Sequence, residues 1–143
     1  MGEFKGVLGV TEVVSRQKSG KKPPKTPTKT ALLKKCDDTF SLIVRSTGEC
    51  VTCGTGFGLQ ASHGFSRSYR SIRWDPRNVF AQCRSDHKYY THRPIEWTLW
   101  LQNRWGMPLY EELRDMALHA PNPDLTETLA RLRAELDLIE RNA

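Results

Sequence analysis

Nothing in this chain is long and apolar enough to span a bilayer, and its first residues lack the apolar stretch of a secretory leader. A soluble, cytoplasmic protein with no membrane partner is expected. Cysteine is scarce, with four among 143 residues. They could make two disulfides, but Cys50 and Cys53 stand in Cys-x-x-Cys spacing, which in a reducing compartment is typical of a metal site. Acidic residues are almost missing from the start, where residues 1–35 carry nine Lys or Arg against Glu3 and Glu12. That segment is rich in Lys, Pro, Ser, Thr and Gly and cannot bury enough apolar surface to offset its ordering entropy. Residues 1–30 are therefore expected to be a disordered basic tail.

The remaining length suits one compact core, with a main module over residues 31–118 and a C-terminal helix over 121–143. Net charge is +6, unevenly spread. Residues 45–104 carry eight Arg and Lys88 against four acidic side chains, whereas residues 105–143 carry four basic against eight acidic. Positive charge on the tail and central module suits a polyanion, because each neutralised phosphate releases counterions. A basic surface kept for solubility would have the same composition.

A helix can start at Thr30 with a capping hydroxyl, and Leu33, Cys36, Phe40 and Ile43 then fall on one face, which makes Cys36 a core side chain. Short segments around Leu59–Ser62 and Ser71–Trp74 could pair as strands, and Asn78–Thr91 reads as a helix. Pro94 opens a helix that Gly106 ends, and Pro108 starts the next. Asn122 and Pro123 open the last, whose Leu125, Leu129, Leu132, Leu136 and Ile139 form a stripe. The stripe either docks on its own domain or forms the seam of a homodimer.

The chemistry gathers around the cysteines. Zinc takes four tetrahedral ligands, and a Cys-x-x-Cys knuckle is completed from elsewhere in a fold. Cys83 is one candidate, and Asp86 and His87 follow within one helical turn of it. Unrelated buried or free thiols are the plain alternative. Between the halves of that site lie His63 and Asn78. The order Cys-x-x-Cys, His, Asn, Cys, His is the layout of a ββα-metal nuclease, and CVTCG, ASHGFSR, RWDPRNVFAQC and the helix from Pro94 to Arg114 resemble the phage lambda NinG (Rap) family of recombination endonucleases. KKCDDTFSLIVRS upstream resembles the same family, and the similarity covers residues 31 to 115.

The resemblance implies a small α+β protein with a zinc-stabilised ββα-metal (HNH, His-Me finger) core. In it His63 ends the first strand, Asn78 begins the helix, and a catalytic divalent cation, Mg or Mn, lies between them. It implies a DNA endonuclease acting on branched recombination intermediates such as Holliday junctions, with duplex DNA the simpler substrate. His63 would be the general base, Asn78 would hold the His63 loop by side-chain hydrogen bonds, and His87, nine residues after Asn78, would face the catalytic metal. A phosphodiester needs an activated water, which neutral imidazole provides, and a cation for the developing charge.

This chain departs from the family in having Asp86-His87 for Cys-Asn, Ser62 where many HNH enzymes have Asp, and His92-Arg93 for Gly-Asn. Either Asp86 completes the zinc site with Cys50, Cys53 and Cys83 and frees His87 for the catalytic ion, or His87 takes the zinc; the first is preferred. Arg67, Arg70, Arg73 and Arg77 are candidate phosphate clamps, though each could be a solvated charge. Tyr89, Tyr90 and Trp74 could stack on bases or pack in the core, and His119 reads as a surface residue. A non-catalytic zinc module that binds DNA or recruits a partner is the main competing function, and a zinc-ribbon RNA-binding or translation factor is a third.

Overall fold

The computed structural model describes Gly2 and residues 20–143. Most of the expected basic tail lies outside the described residues; residues 20–28 are exposed and outside any helix or strand. Helix α1 (Lys29–Arg45) starts earlier than expected, because Thr28 and not Thr30 supplies the cap, its hydroxyl accepting the Ala31 N–H at 3.2 Å. The apolar stripe on α1 buries Cys36, Phe40, Ile43 and Val44.

Two strands follow, β1 (Leu59–His63) and β2 (Val79–Cys83), paired antiparallel with His63 opposite Val79 and Leu59 opposite Cys83. Helices α2 (Arg84–Thr91), α3 (Pro94–Trp105), α4 (Met107–His119) and α5 (Leu125–Arg141) complete a small α+β chain. No helix among the described residues is long and apolar enough to cross a membrane.

The second strand corrects two expectations. Ser71–Trp74 does not pair with β1: Arg70–Ile72 is a 3-10 turn, and Ile72 in it and Trp74 just after it are both buried. Their spacing of two imitates a strand. Asn78–Thr91 is not one helix either, since Val79–Cys83 is strand and the helix starts only at Arg84. Val79, Ala81, Gln82 and Cys83 are all buried, and a strand covered on both faces lacks the alternation that separates it from a helix. Asn78 therefore precedes a strand instead of beginning a helix, and Cys83 ends that strand as the N-cap of α2. At α5 the cap is Asp124, not Asn122. Its Oδ1 accepts the Glu127 N–H at 2.9 Å, an Asp-x-x-Glu start that outcompetes Asn-Pro.

Layering follows from strand alternation. Val79 and Ala81 point toward α1, where they join Phe40, Ile43, Val44, Trp74, Leu129 and Leu132 in the main core. Phe80 points the other way, into an aromatic cluster with Trp97, Trp100 and Trp105 of α3, the Phe80 and Trp100 rings meeting edge to face at 5.3 Å. The sheet is thus clamped between α1 and α3. Helix α5 lays its stripe on α1, the intramolecular arrangement. Leu132 is fully buried at that contact. Leu132→Ala should lower unfolding free energy by about 2–5 kcal/mol in urea titration, with an unchanged slope.

Candidate active site and metal centre

The Cys50–Gly54 knuckle is a tight turn, closed by the Gly54 N–H on the Cys50 carbonyl at 2.9 Å. Gly54 has φ +77°, which a side chain would strain. The Val51 N–H donates to the Ala81 carbonyl at 2.8 Å and pins the knuckle beside β2, which ends in Cys83. One helical turn further, Asp86 returns to the same place. Sulfur atoms of Cys50, Cys53 and Cys83 and a carboxylate oxygen of Asp86 all lie within 4.8 Å of one another, close enough to hold a metal ion. The Cys53 and Cys83 sulfurs are 3.7 Å apart. A tetrahedral site with metal–sulfur bonds of about 2.3 Å has edges of roughly 3.8 Å, which the Cys53–Cys83 separation matches.

Electrostatics point the same way. Burial pushes the Cys50 thiol up, but the polar Thr52 side chain beside it and the backbone N–H groups of Cys83, Cys53 and Thr52 outweigh it and bring its pKa down to about 6. The backbone N–H of Thr55 acts to lower Cys53, yet crowding by Cys50, Cys83 and Asp86 pushes Cys53 up to about 12. The Thr52 hydrogen bond holds the Asp86 carboxyl below the usual range. Three thiolates and a carboxylate this close repel unless a cation joins them.

His87 is not in this cluster. Its Nδ1 donates to Gln60 Oε1 at 2.9 Å, which leaves Nε2 with the free lone pair. Burial lowers its pKa, so the ring is neutral at neutral pH. The fourth donor near the three cysteines is thus Asp86 and not His87. Cys36 is buried apart from the others, its thiol 3.6 Å from the Leu125 carbonyl.

His87 instead lines a cleft of about 1020 Å³ together with His63, Ser62, Gln60, Arg67 and Arg45. His63 is the last residue of β1, and its Nε2 lies 3.0 Å from the Arg73 carbonyl. A carbonyl only accepts, so Nε2 carries the proton and Nδ1 has the free lone pair. Burial lowers the His63 pKa, with the Arg73 and Arg67 charges in the same direction, against the Arg73 carbonyl and Asp37. The ring is a neutral proton acceptor at neutral pH.

Asn78 is fully buried and ties the segment after His63. Its Oδ1 accepts the Phe65 N–H at 2.8 Å, and its Nδ2 donates to the Phe65 and Ile72 carbonyls, each at 3.2 Å. Trp97 Nε1 donates to the Gly64 carbonyl at 3.1 Å. Only glycine fits at 64, since a Cβ would come within 2.6 Å of the Trp105 ring.

The four arginines do not form one clamp. Arg67 opens on the cleft. Arg73 is spent on Asp37, with Nε and Nη2 donating at 2.9 and 2.5 Å. Arg77 pairs with Asp75 and Glu112 at 2.9 and 3.0 Å, and Arg70 lines a separate hollow beside Arg131. Trp74 is buried with its N–H on Asp37, Tyr90 packs against Trp97, and the exposed Tyr89 ring lies under Arg93. His119 pairs with Asp115 at the surface. Sequence reasoning missed Asp37, Gln60 and Arg45. Pairing of Asp37 with Arg73, or of Gln60 with His87, joins residues far apart in the chain and leaves no local pattern.

With zinc as the probe, His87→Ala should keep the metal stoichiometry and thermal midpoint of the parent protein, whereas Asp86→Ala should weaken binding in a chelator competition. Loss of zinc from His87→Ala with retention in Asp86→Ala would reverse the ligand assignment. Comparisons with protein-family models, curated proteins and solved structures found no match to this chain, so its site stands on its own donor set and geometry.

Proposed function

We propose that this chain is a metal-dependent DNA endonuclease of the HNH (His-Me finger) type, with a structural zinc on Cys50, Cys53, Cys83 and Asp86. The observation that carries the proposal is His63: a neutral imidazole at the end of β1, its Nε2 committed to the Arg73 carbonyl, lining one cleft with His87 and the cations Arg45 and Arg67. The chain order of two antiparallel strands followed by α2 supports a ββα-metal core. The resemblance to the lambda NinG family adds branched recombination intermediates, Holliday junctions among them, as the substrate class.

In this mechanism His63 Nδ1 accepts a proton from water as the water oxygen bonds to phosphorus. The bond from phosphorus to the 3′ oxygen breaks, and the leaving oxygen takes a proton from solvent. His87 would help hold a divalent cation, magnesium or manganese, which would supply charge stabilisation to the transition state and the leaving oxygen. Arg67 and Arg45 hold the phosphate by charge. Asn78 and Trp97 keep the His63 loop in place while the substrate docks. The basic N-terminal segment adds salt-sensitive affinity independent of base sequence.

His63→Ala should stay folded, keep zinc and bind DNA, while cleavage of junction, flap or duplex substrates with magnesium or manganese falls by roughly two to four orders of magnitude. EDTA should abolish cleavage by the parent protein. Because the base has a lowered pKa, the rate should fall only on the acid side of its ordinary value of about 6.5, as His63 protonates. Parent protein that cleaves none of these substrates, or His63→Ala cleaving at the parent rate, would leave a non-catalytic zinc module that binds DNA as the better description.

A further inference from the structure

Asp86 is the unusual member of the metal cluster, and a carboxylate in a thiolate site has a problem that a fourth cysteine lacks. It offers two oxygens and can rotate between one-oxygen and two-oxygen binding, so a defined site needs something to fix its plane. The neighbouring side chains supply that restraint. The Thr52 hydroxyl, inside the knuckle, lies 2.5 Å from Asp86 Oδ2 and 3.2 Å from the Cys50 sulfur. A hydroxyl has one proton, and the much shorter contact to an anionic oxygen claims it. Behind Thr52 stands Gln82 of β2, fully buried, with Nε2 donating to Thr52 Oγ1 at 3.3 Å. Gln82 Oε1 is a buried acceptor with no partner among the described residues. An amide buried at that cost, where an apolar side chain of the same size could pack, is explained by what its other end does.

We propose that Thr52, backed by Gln82, is the positioning residue that makes Asp86 the fourth metal ligand of this chain. Gln82 turns the Thr52 lone pair toward itself, Thr52 turns its proton toward Asp86, and the carboxylate is held facing the three sulfurs. The inference rests on the zinc centre argued above, and on no catalytic step. It also accounts for the position of Thr52, between the two knuckle cysteines and beside both β2 and the first turn of α2. From there its short hydroxyl reaches Asp86.

The test is zinc affinity of the full chain by competition with a chromophoric chelator, with the ligand-field spectrum of the cobalt(II)-loaded protein as a second readout. Thr52→Val keeps the side-chain shape and removes the proton; it should weaken zinc about 10- to 100-fold, the usual effect of losing an outer hydrogen bond to a ligand, and should shift the cobalt bands. Thr52→Ser should restore affinity and spectrum. Gln82→Met should weaken binding in the same direction by less. In an Asp86→Ala background, Thr52→Val should have little further effect, because its influence passes through the carboxylate. Thr52→Val binding like the parent, Thr52→Ser as weak as Thr52→Val, or equal effects with and without Asp86 would each overturn the proposal while leaving the zinc centre intact. A parent protein that binds no zinc would overturn both.

Discussion

The segment from Gly64 to Asn78 leaves β1 and must come back beside it in register, and one buried amide closes it. Asn78 makes three side-chain hydrogen bonds to the backbone of Phe65 and Ile72, and its own carbonyl accepts the Gly64 N–H at 2.6 Å. Without those bonds backbone groups of Phe65 and Ile72 would lose their partners, and the entropy cost of closing the loop would lose an offset. The rest of the cleft depends on this closure. It brings the Arg73 carbonyl to His63 and thereby chooses which imidazole nitrogen is basic. It also sets Arg73 against Asp37, so that α1 is joined to the loop by a largely buried ion pair.

The cluster of three cysteines and Asp86 answers a different problem at the other end of the sheet. Helix α2 has no fully buried residue, so hydrophobic burial alone holds it weakly. A cation bridging Cys83 and Asp86 to the knuckle would staple its first turn to β2, as expected where a core is small. The same helix carries His87 one residue further on, which places the ring over Gln60 and in the cleft. Structural and cleft-lining donors thus leave adjacent positions of one helix in different directions, at the 100° step of an α-helix.

Charge on this protein is divided between folding and binding. Arg73 and Arg77 are tied to Asp37, Asp75 and Glu112, whereas Arg45 and Arg67 remain at the cleft. A net positive count therefore overstates what a phosphate would meet.

The amino-acid sequence by itself determined the α1 and α5 stripes, the helix that starts at Pro94 and ends at Gly106, and the Cys50–Cys53 knuckle. All depend on periodicity, capping or short spacing, which are local properties of a chain. It singled out His63, Asn78 and His87 through a motif. Tertiary structure alone decided that Val79–Cys83 is a strand, because burial on both faces erases the alternation that marks one. Asp86 belongs to the cluster while His87 turns to Gln60 because Cys83 caps α2 and sets its first-turn phase. Asp37 and Gln60 became visible only in the fold, since a hydrogen bond between residues tens of positions apart is created by packing and by nothing in either residue's neighbourhood.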